Sequence, residues 1–201
     1  PVYSLTNLNE GYSTDDNARA LLMTVLLEAA GYEDYEEISI LSTRYLSFLW
    51  YAFNTGNNRF RNFLSYERRW LEDVGSEDSH GRALWALGAV LGRSKAERLR
   101  KVAGRLFELA LPEVAHFTSL RAWAYTLIGI HEYLRRFEGD RLVYDMRKKL
   151  SKRMLDMYRE VNGPDWQWFE NIVAYGNATV SHAILLCGKW IPNEKMVDAG
   201  L

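Results

Sequence analysis

Charge is distributed very unevenly among the helical stretches of this 201-residue chain, and that limits what it can fold into. Between Gly81 and Leu91 the only charge is Arg82, between Ser119 and Ile130 it is Arg121, and between Gly176 and Gly188 there is none. A helix that is apolar all round must be buried all round. By contrast, Ser94–Leu111 carries Lys95, Glu97, Arg98, Arg100, Lys101, Arg105 and Glu108 opposite Leu99, Val102, Ala103, Leu106 and Phe107. Asp140–Glu160 is more charged still, with a narrow stripe of Val143, Met146, Leu150 and Met154. Those two need one face in water. The alternation predicts helical hairpins arranged as an inner and an outer ring. Leu84, Trp85, Leu87, Leu127, Ile128, Ile184 and Leu185 should be buried, and Arg98, Lys101, Lys148 and Lys152 should lie outside.

Seven helices can be read from apolar spacing and stop signals. They run from Thr14 to about Ala30, Asp34 to Phe53, Glu77 to Leu91, after Ser94 to before Pro112, Thr118 to Phe137, from near Asp140, and Asn177 to Trp190. Pro1, Pro112, Pro164 and Pro192 fall outside these stretches and break none of them. The long connection Asn54–Ser76 contains the aromatic-rich run Arg59–Tyr66, which reads as a short exposed hairpin after the turn Asn54-Thr55-Gly56-Asn57. Near the end, Asn193 stands where a helix cap would, with little chain after it for a helix to develop. Seven helices would fill only part of a ring of six hairpins, so the chain reads as one domain, the N-terminal part of a longer toroid.

The net charge of −1, from 25 basic and 26 acidic residues, gives no general attraction to nucleic acid or anionic lipid. No apolar run approaches the ~18 residues that would span a bilayer. The opening PVYSLTNLNE is too polar for a signal peptide. The single cysteine, Cys187, can form no internal disulfide and fits a reducing, cytoplasmic setting. The 27 aromatic residues among 201 are available for packing or for stacking on a ligand.

The pair Arg-Ala recurs at Arg19-Ala20, Arg82-Ala83 and Arg121-Ala122, each time in the first turns of a buried helix and read at one helical depth. A degenerate fourth copy places Gly176, Asn177 and Thr179 at the equivalent positions. The steps of 63, 39 and 58 residues are too uneven for a tandem solenoid but suit a toroid whose loops vary in length. If the buried helices are parallel, their polar starts meet at one mouth. Tyr12, Asp15, Asp16, Arg19, Asp78, His80, Arg82, Trp166, Trp168, Glu170, Tyr175 and Asn177 would then border one cleft. Paired carboxylates with aromatic platforms are what sugar chemistry requires, because rings stack on pyranose faces and two carboxyls supply acid and base or nucleophile. Asp16, Asp78 and Glu170 are the candidate catalytic carboxylates. The plainer role of helix-start carboxylates is capping, and Arg19 and Arg82 could serve them as structural ion bridges. No cofactor glycine loop, zinc spacing or nucleophile elbow is present in the sequence, and no metal or cofactor is expected.

The stretches Gly11–Leu22, Phe60–Gly88, Arg121–Phe137 and Trp166–Leu186 resemble a bacterial family of six-hairpin glycosidase-like α/α toroids. Members of that family often occur fused to, or beside, GT-B-type glycosyltransferases. The resemblance implies a toroid and a carbohydrate context, as a glycoside hydrolase or an epimerase-like enzyme. The alternative it leaves is a non-catalytic module that binds glycan or docks a glycosyltransferase.

Overall fold

Ser13, Ser76 and Ser119 each accept a hydrogen bond from the backbone N–H three residues on, and each opens a helix. The computed structural model describes residues 10–32 and 35–201, and of Tyr35 the backbone alone. Pro1 and the expected helix start at Asp34 lie outside the described residues. The helices are α1 (Thr14–Ala29), α2 (Tyr35–Ala52), α3 (Glu77–Arg93), α4 (Glu97–Ala110), α5 (Leu120–Leu134), α6 (Arg141–Val161), α7 (Asn177–Trp190) and α8 (Glu194–Gly200). A 3-10 turn, Leu111–His116, follows α4. Four two-residue strands complete the set: β1 (Tyr12–Ser13), β2 (Phe53–Asn54), β3 (Arg59–Phe60) and β4 (Phe63–Leu64). The chain belongs to the all-α class.

The register of contacts shows how the helices are layered. A Cβ on Gly81, Gly88 or Gly92 of α3 would meet Ala122, Gly129 or Glu132 of α5 respectively. The partners advance together along both helices, so α3 and α5 run parallel. Asp15 pairs with Arg82, and Glu28 accepts from the Lys95 N–H, which makes α1 parallel to α3. Arg121 reaches Asn177, and His131 packs edge-on against Trp190, so α7 is parallel to α5. Each outer helix runs back along its inner neighbour. Thr24 meets Ser42, His80 meets Ala110 while Leu91 faces Gly104, and Tyr133 meets Asp140 while Trp123 lies under Arg153. The inner row is therefore α1, α3, α5 and α7, all starting at one end, backed by α2, α4 and α6. The sequence expectation about layers holds for α3 and α5, whereas α7, expected to be buried all round, leaves Ala178 and His182 exposed. Leu84, Leu87, Leu127, Ile128 and Ile184 are buried, while Arg98, Lys101, Lys148 and Lys152 are exposed. Trp85 and Leu185 are only half-buried, and Trp85 lies parallel to the Tyr125 ring.

The α3–α5 contact is closer than side chains would allow. A Cβ on Gly88 would lie 2.1 Å from the Gly129 carbonyl oxygen, and one on Gly129 would lie 2.5 Å from that of Leu84. Backbone thus meets backbone at the centre of the core. Three local expectations need correction. The aromatic run after Asn54 is a hairpin, β2 against β3, but Phe60 is fully buried against Phe53 and His80 rather than exposed. Phe63–Leu64 forms a second pair with β1, 50 residues away, which no local pattern reveals. The tail after Asn193 does develop into a helix, α8, because Met196 and Ala199 are buried and Gly188 and Gly200 let it lie close on α7.

Gly88→Ala should destabilise the protein by about 1–3 kcal/mol through overpacking. Gly104→Ala, whose new methyl would meet only Leu91 at 3.6 Å, should stabilise it by about 0.4–1 kcal/mol through the unfolded state. Urea unfolding of both variants beside the parent checks this. Similar shifts of one sign would mean that the α3–α5 approach is not a constraint.

Candidate functional site

Because the four inner helices start at one end, their first turns meet there. A cavity of about 260 Å³ opens among Ser13, Asp15, Asp16 and Arg19 of the β1–α1 start, Asn62 and Phe63 around β4, Ser76, Asp78, Ser79 and Arg82 of the α3 start, and Tyr175 before α7. This lies just under the ~300–1,000 Å³ typical of small-molecule pockets, so its size suits one small polar ligand.

The serine caps explain why carboxylates are available. Ser13, Ser76 and Ser119 satisfy the helix N–H groups, so Asp15, Asp16 and Asp78 do no capping of their own helix. Glu77 does cap, but on a neighbour: its Oε2 accepts from the Thr118 and Ser119 N–H groups at 2.8 and 2.7 Å and ties α3 to the start of α5. Asp15 lies between two guanidiniums, Arg19 at 2.8 Å and Arg82 at 2.7 Å. Arg19 also holds Asp16 at 2.7 Å, whose other oxygen accepts from the Ser13 hydroxyl. Arg82 lies over the Tyr125 ring and donates to its hydroxyl at 2.7 Å. Burial, the largest cause, raises the Tyr125 pKa above the usual phenol value. Among the described residues, Asp78 pairs with no cation, unlike Asp15 and Asp16. Its oxygens accept from the Ser119 and Tyr175 hydroxyls. The bond to Asp78, the largest cause, pushes the Tyr175 phenol up to about 12, so its proton stays in place at neutral pH.

Behind Tyr175 lies a second set of contacts organised by Arg121. This guanidinium, 7% exposed, donates Nη1 to both Glu170 oxygens at 3.0 and 2.8 Å, Nε to the Tyr175 carbonyl, and Nη2 to Asn177 Oδ1 at 3.4 Å. It also lies over the Tyr175 ring. Gly176 adopts φ 64°, and a Cβ there would come within 2.9 Å of the Tyr125 hydroxyl, so only glycine leaves room for this corner.

Six of the sequence-derived residues therefore share the cavity: Asp15, Asp16, Arg19, Asp78, Arg82 and Tyr175. Glu170 and Asn177, expected at the same cleft, do not line it: Arg121 holds both behind Tyr175. Tyr12 flanks it from β1, one residue before Ser13, and is itself exposed. His80 does not reach it. The ring is fully buried between Phe60 and Phe117, its Nε2 donates to the Ala110 carbonyl at 3.0 Å, and its Nδ1 accepts from the Phe60 N–H. Burial, the largest cause, lowers its pKa to about 3. Trp166 and Trp168 also stay outside. Trp166 donates to the Glu170 carbonyl, and Trp168 packs half-buried against Phe169, the buried anchor of that loop. The Arg-Ala repeat is not at one depth. Arg19 and Arg82 follow their caps by six residues, but Arg121 follows Ser119 by two. That places Arg121 closer to the mouth, where it takes a role that sequence reasoning did not assign to it. Asn62, Phe63 and Tyr125 were also missed, the first two because they arrive through the long-range β1–β4 pairing. Among the described residues, no group of three or more His, Cys, Asp or Glu is placed to hold a metal ion.

No family model matches the chain, and no curated protein sequence does. Among solved structures, the chain superposes on a sugar epimerase from a ruminal bacterium with a TM-score of 0.73 at 12% identity. The match covers 98% of this chain and 60% of that protein, so the chain spans less than two thirds of its length. At that identity the likeness is one of fold.

Breaking the two kinds of ion pair should cost different amounts. Arg121→Met leaves Glu170 partly buried without its cation and should destabilise by on the order of 3 kcal/mol. Arg19→Ala, at an exposed pair, should cost less than about 1 kcal/mol. Thermal unfolding of the two variants tests this ranking. For His80, the unfolded state binds a proton near pH 6.5 that the folded state refuses until about pH 3. Stability should therefore fall as pH drops through that window. NMR of the His80 ring at pH 5 should show a neutral imidazole, and a protonated ring would contradict its burial.

Proposed function

We propose that this chain handles carbohydrate in the cavity at the start of the inner helices, as part of an enzyme of the glycoside hydrolase or epimerase kind. The observation that carries the reading is the meeting of Asp15, Asp78, Arg82 and Tyr175, from three helix starts, around one small polar cavity. Carboxylate, guanidinium and phenol groups on fixed helix ends accept and donate to the hydroxyls of a sugar without reorganising. The fold-level likeness to a sugar epimerase supports the same class of ligand. Parallel inner helices backed by antiparallel outer ones support the six-hairpin toroid, with this chain forming part of the ring. The resemblance to glycosyltransferase-associated toroids makes a glycosyltransferase domain or subunit the proposed partner. No helix among the described residues is long and apolar enough to cross a membrane, and with its buried thiol Cys187 the chain is proposed to work in the cytoplasm.

The three carboxylates proposed as catalytic divide by place and partner: Asp16 and Asp78 line the cavity, and Glu170 lies behind Tyr175. Asp16 and Glu170 spend their oxygens on Arg19 and Arg121, which suits holding the site in shape. Asp78 is bound, among the described residues, by hydroxyls that can rotate, and it is the group proposed to transfer a proton, with Tyr175 beside it. The guanidinium locks on Asp15, Asp16 and Glu170 favour one second reading, a non-catalytic glycan-binding module.

A thermal-shift screen against mono- and oligosaccharides, followed by NMR of any sugar that binds, separates these readings. A ligand at 100 times its Kd should stabilise the protein by about 2.7 kcal/mol, roughly 2–4 °C in Tm for each kcal/mol. Arg82→Ala should abolish the shift. Asp78→Asn should keep the shift but lose any conversion of the sugar. Binding with no conversion in the parent protein would establish the non-catalytic reading, and no shift with any sugar would reject both.

A further inference from the structure

The buried face of α6 follows the spacing Val143, Arg147, Leu150, Met154, so an arginine occupies a core position in an otherwise apolar stripe. Arg147 is 3% exposed, as enclosed as its neighbours. Among the described residues its Nε and Nη1 meet no acceptor. Its guanidinium lies over two rings instead, 5.0 Å from the Tyr144 centroid and 5.1 Å from that of Trp190. A ring face attracts a cation, yet it does not replace a charged acceptor, and an enclosed charge without a counter-ion is strongly unfavourable.

The groups around Arg147 do not supply that counter-ion. Cys187 of α7 keeps its proton, because burial, the largest cause, pushes its thiol up to about 12 against the pull of Arg147. Glu132 of α5 is committed to Arg93 through both oxygens and to Arg135 through one. A second unpaired group faces the same ring. His131 packs edge-on against Trp190 at 5.8 Å, and its Nδ1 is enclosed with no partner among the described residues. Burial, the largest cause, lowers the His131 pKa, with Arg135, Arg147 and His182 adding to it against Glu132. The ring is therefore neutral at pH 7, and one of its nitrogens carries a proton to donate. Helices α5, α6 and α7 thus bring unpaired nitrogens together around Trp190, which is 40% exposed and forms their side toward solvent.

We propose that Arg147 and His131 form an oxyanion site beneath Trp190, which takes one carboxylate- or phosphate-type group. The class of ligand follows from the donors. A guanidinium offers a fixed fork of N–H groups, which fits paired oxygens, and an imidazole N–H adds a third bond. One fixed positive charge with no carboxylate to share it rejects a cation and prefers an anion to a neutral sugar. The site lies toward the far ends of α5 and α7 from the mouth, and it stands independently of the carbohydrate reading.

The test is calorimetric titration of the full chain at pH 7 with sodium formate, acetate, phosphate and sulfate, at an ionic strength held constant with sodium chloride. At least one oxyanion should bind and raise Tm saturably, by about 5 °C or more at 100 times its Kd. The His131 ring signals in NMR should move with the same ion. Arg147→Lys, which keeps the charge and loses the fork, should weaken binding about tenfold. Arg147→Met should abolish it and, with the lone charge removed, melt no lower than the parent in dilute buffer. If the methionine variant does not fold, the lysine variant and the His131 signals decide. Binding by no oxyanion, or binding that both Arg147 variants leave intact, would overturn the proposal. So would an ion whose binding Arg82→Ala removes and Arg147→Met spares, since that ion sits at the mouth. A methionine variant that folds but melts well below the parent in dilute buffer would show the guanidinium already paired within the chain, which also overturns it.

Discussion

The molecule depends on backbone meeting backbone along α3 and α5. Gly81, Gly88 and Gly129, with Gly92 one turn further, remove the side chains that would hold two helices ~8–10 Å apart. The contact needs both helices parallel and in one register, because each glycine faces a particular backbone group. Once α3 and α5 are locked in that way, α1 and α7 can pack only on their free flanks, with the same polarity. The loop lengths then follow. Each return path must carry an outer helix back to the starting end, so α4 and α6 cover the inner row with their apolar stripes inward.

A consequence of parallel inner helices is that polar helix starts collect at one end while apolar middles collect in the core. The cap at three starts is serine, and at the fourth a glycine turned to positive φ. A serine side chain caps the starts of α1 and α3, so aspartates two or three residues further on are left for other partners. At α1 those partners are guanidiniums, and at α3 they are hydroxyls. That difference separates Asp78 from Asp15 and Asp16 although all three stand at similar sequence positions. The site's asymmetry arises from Ser119 and Tyr175, contributed by the next two inner helix starts.

Layering was legible in the sequence because charge is excluded from Ala83–Leu91 and Ala122–Ile130, and burial of both is what parallel packing requires. The six cavity residues were legible because helix starts are polar and the inner helices share a direction. Other features had no local signal. His80 follows the same polar run as Asp78, but one residue more along a helix turns the side chain by about 100°, from the mouth into the core between Phe60 and Phe117. Arg121 repeats the Arg-Ala pattern, yet its distance from Ser119 sets it against Glu170 rather than a carboxylate of its own helix. Phe63 and Asn62 enter through a pairing with residues 50 positions earlier, and the only local trace of that pairing is Gly11, which permits it.

The central claim is that one end of the inner helix row is a single sugar-binding mouth. Amide chemical-shift mapping of the isotope-labelled protein, titrated with a saccharide that binds it, tests this most directly. The account expects the largest shifts at Asp15, Asp16, Asp78, Arg82, Tyr175 and their neighbours, and little change along α4 and α6. Shifts concentrated at the opposite end, around His131, Trp190 and α8, would contradict it.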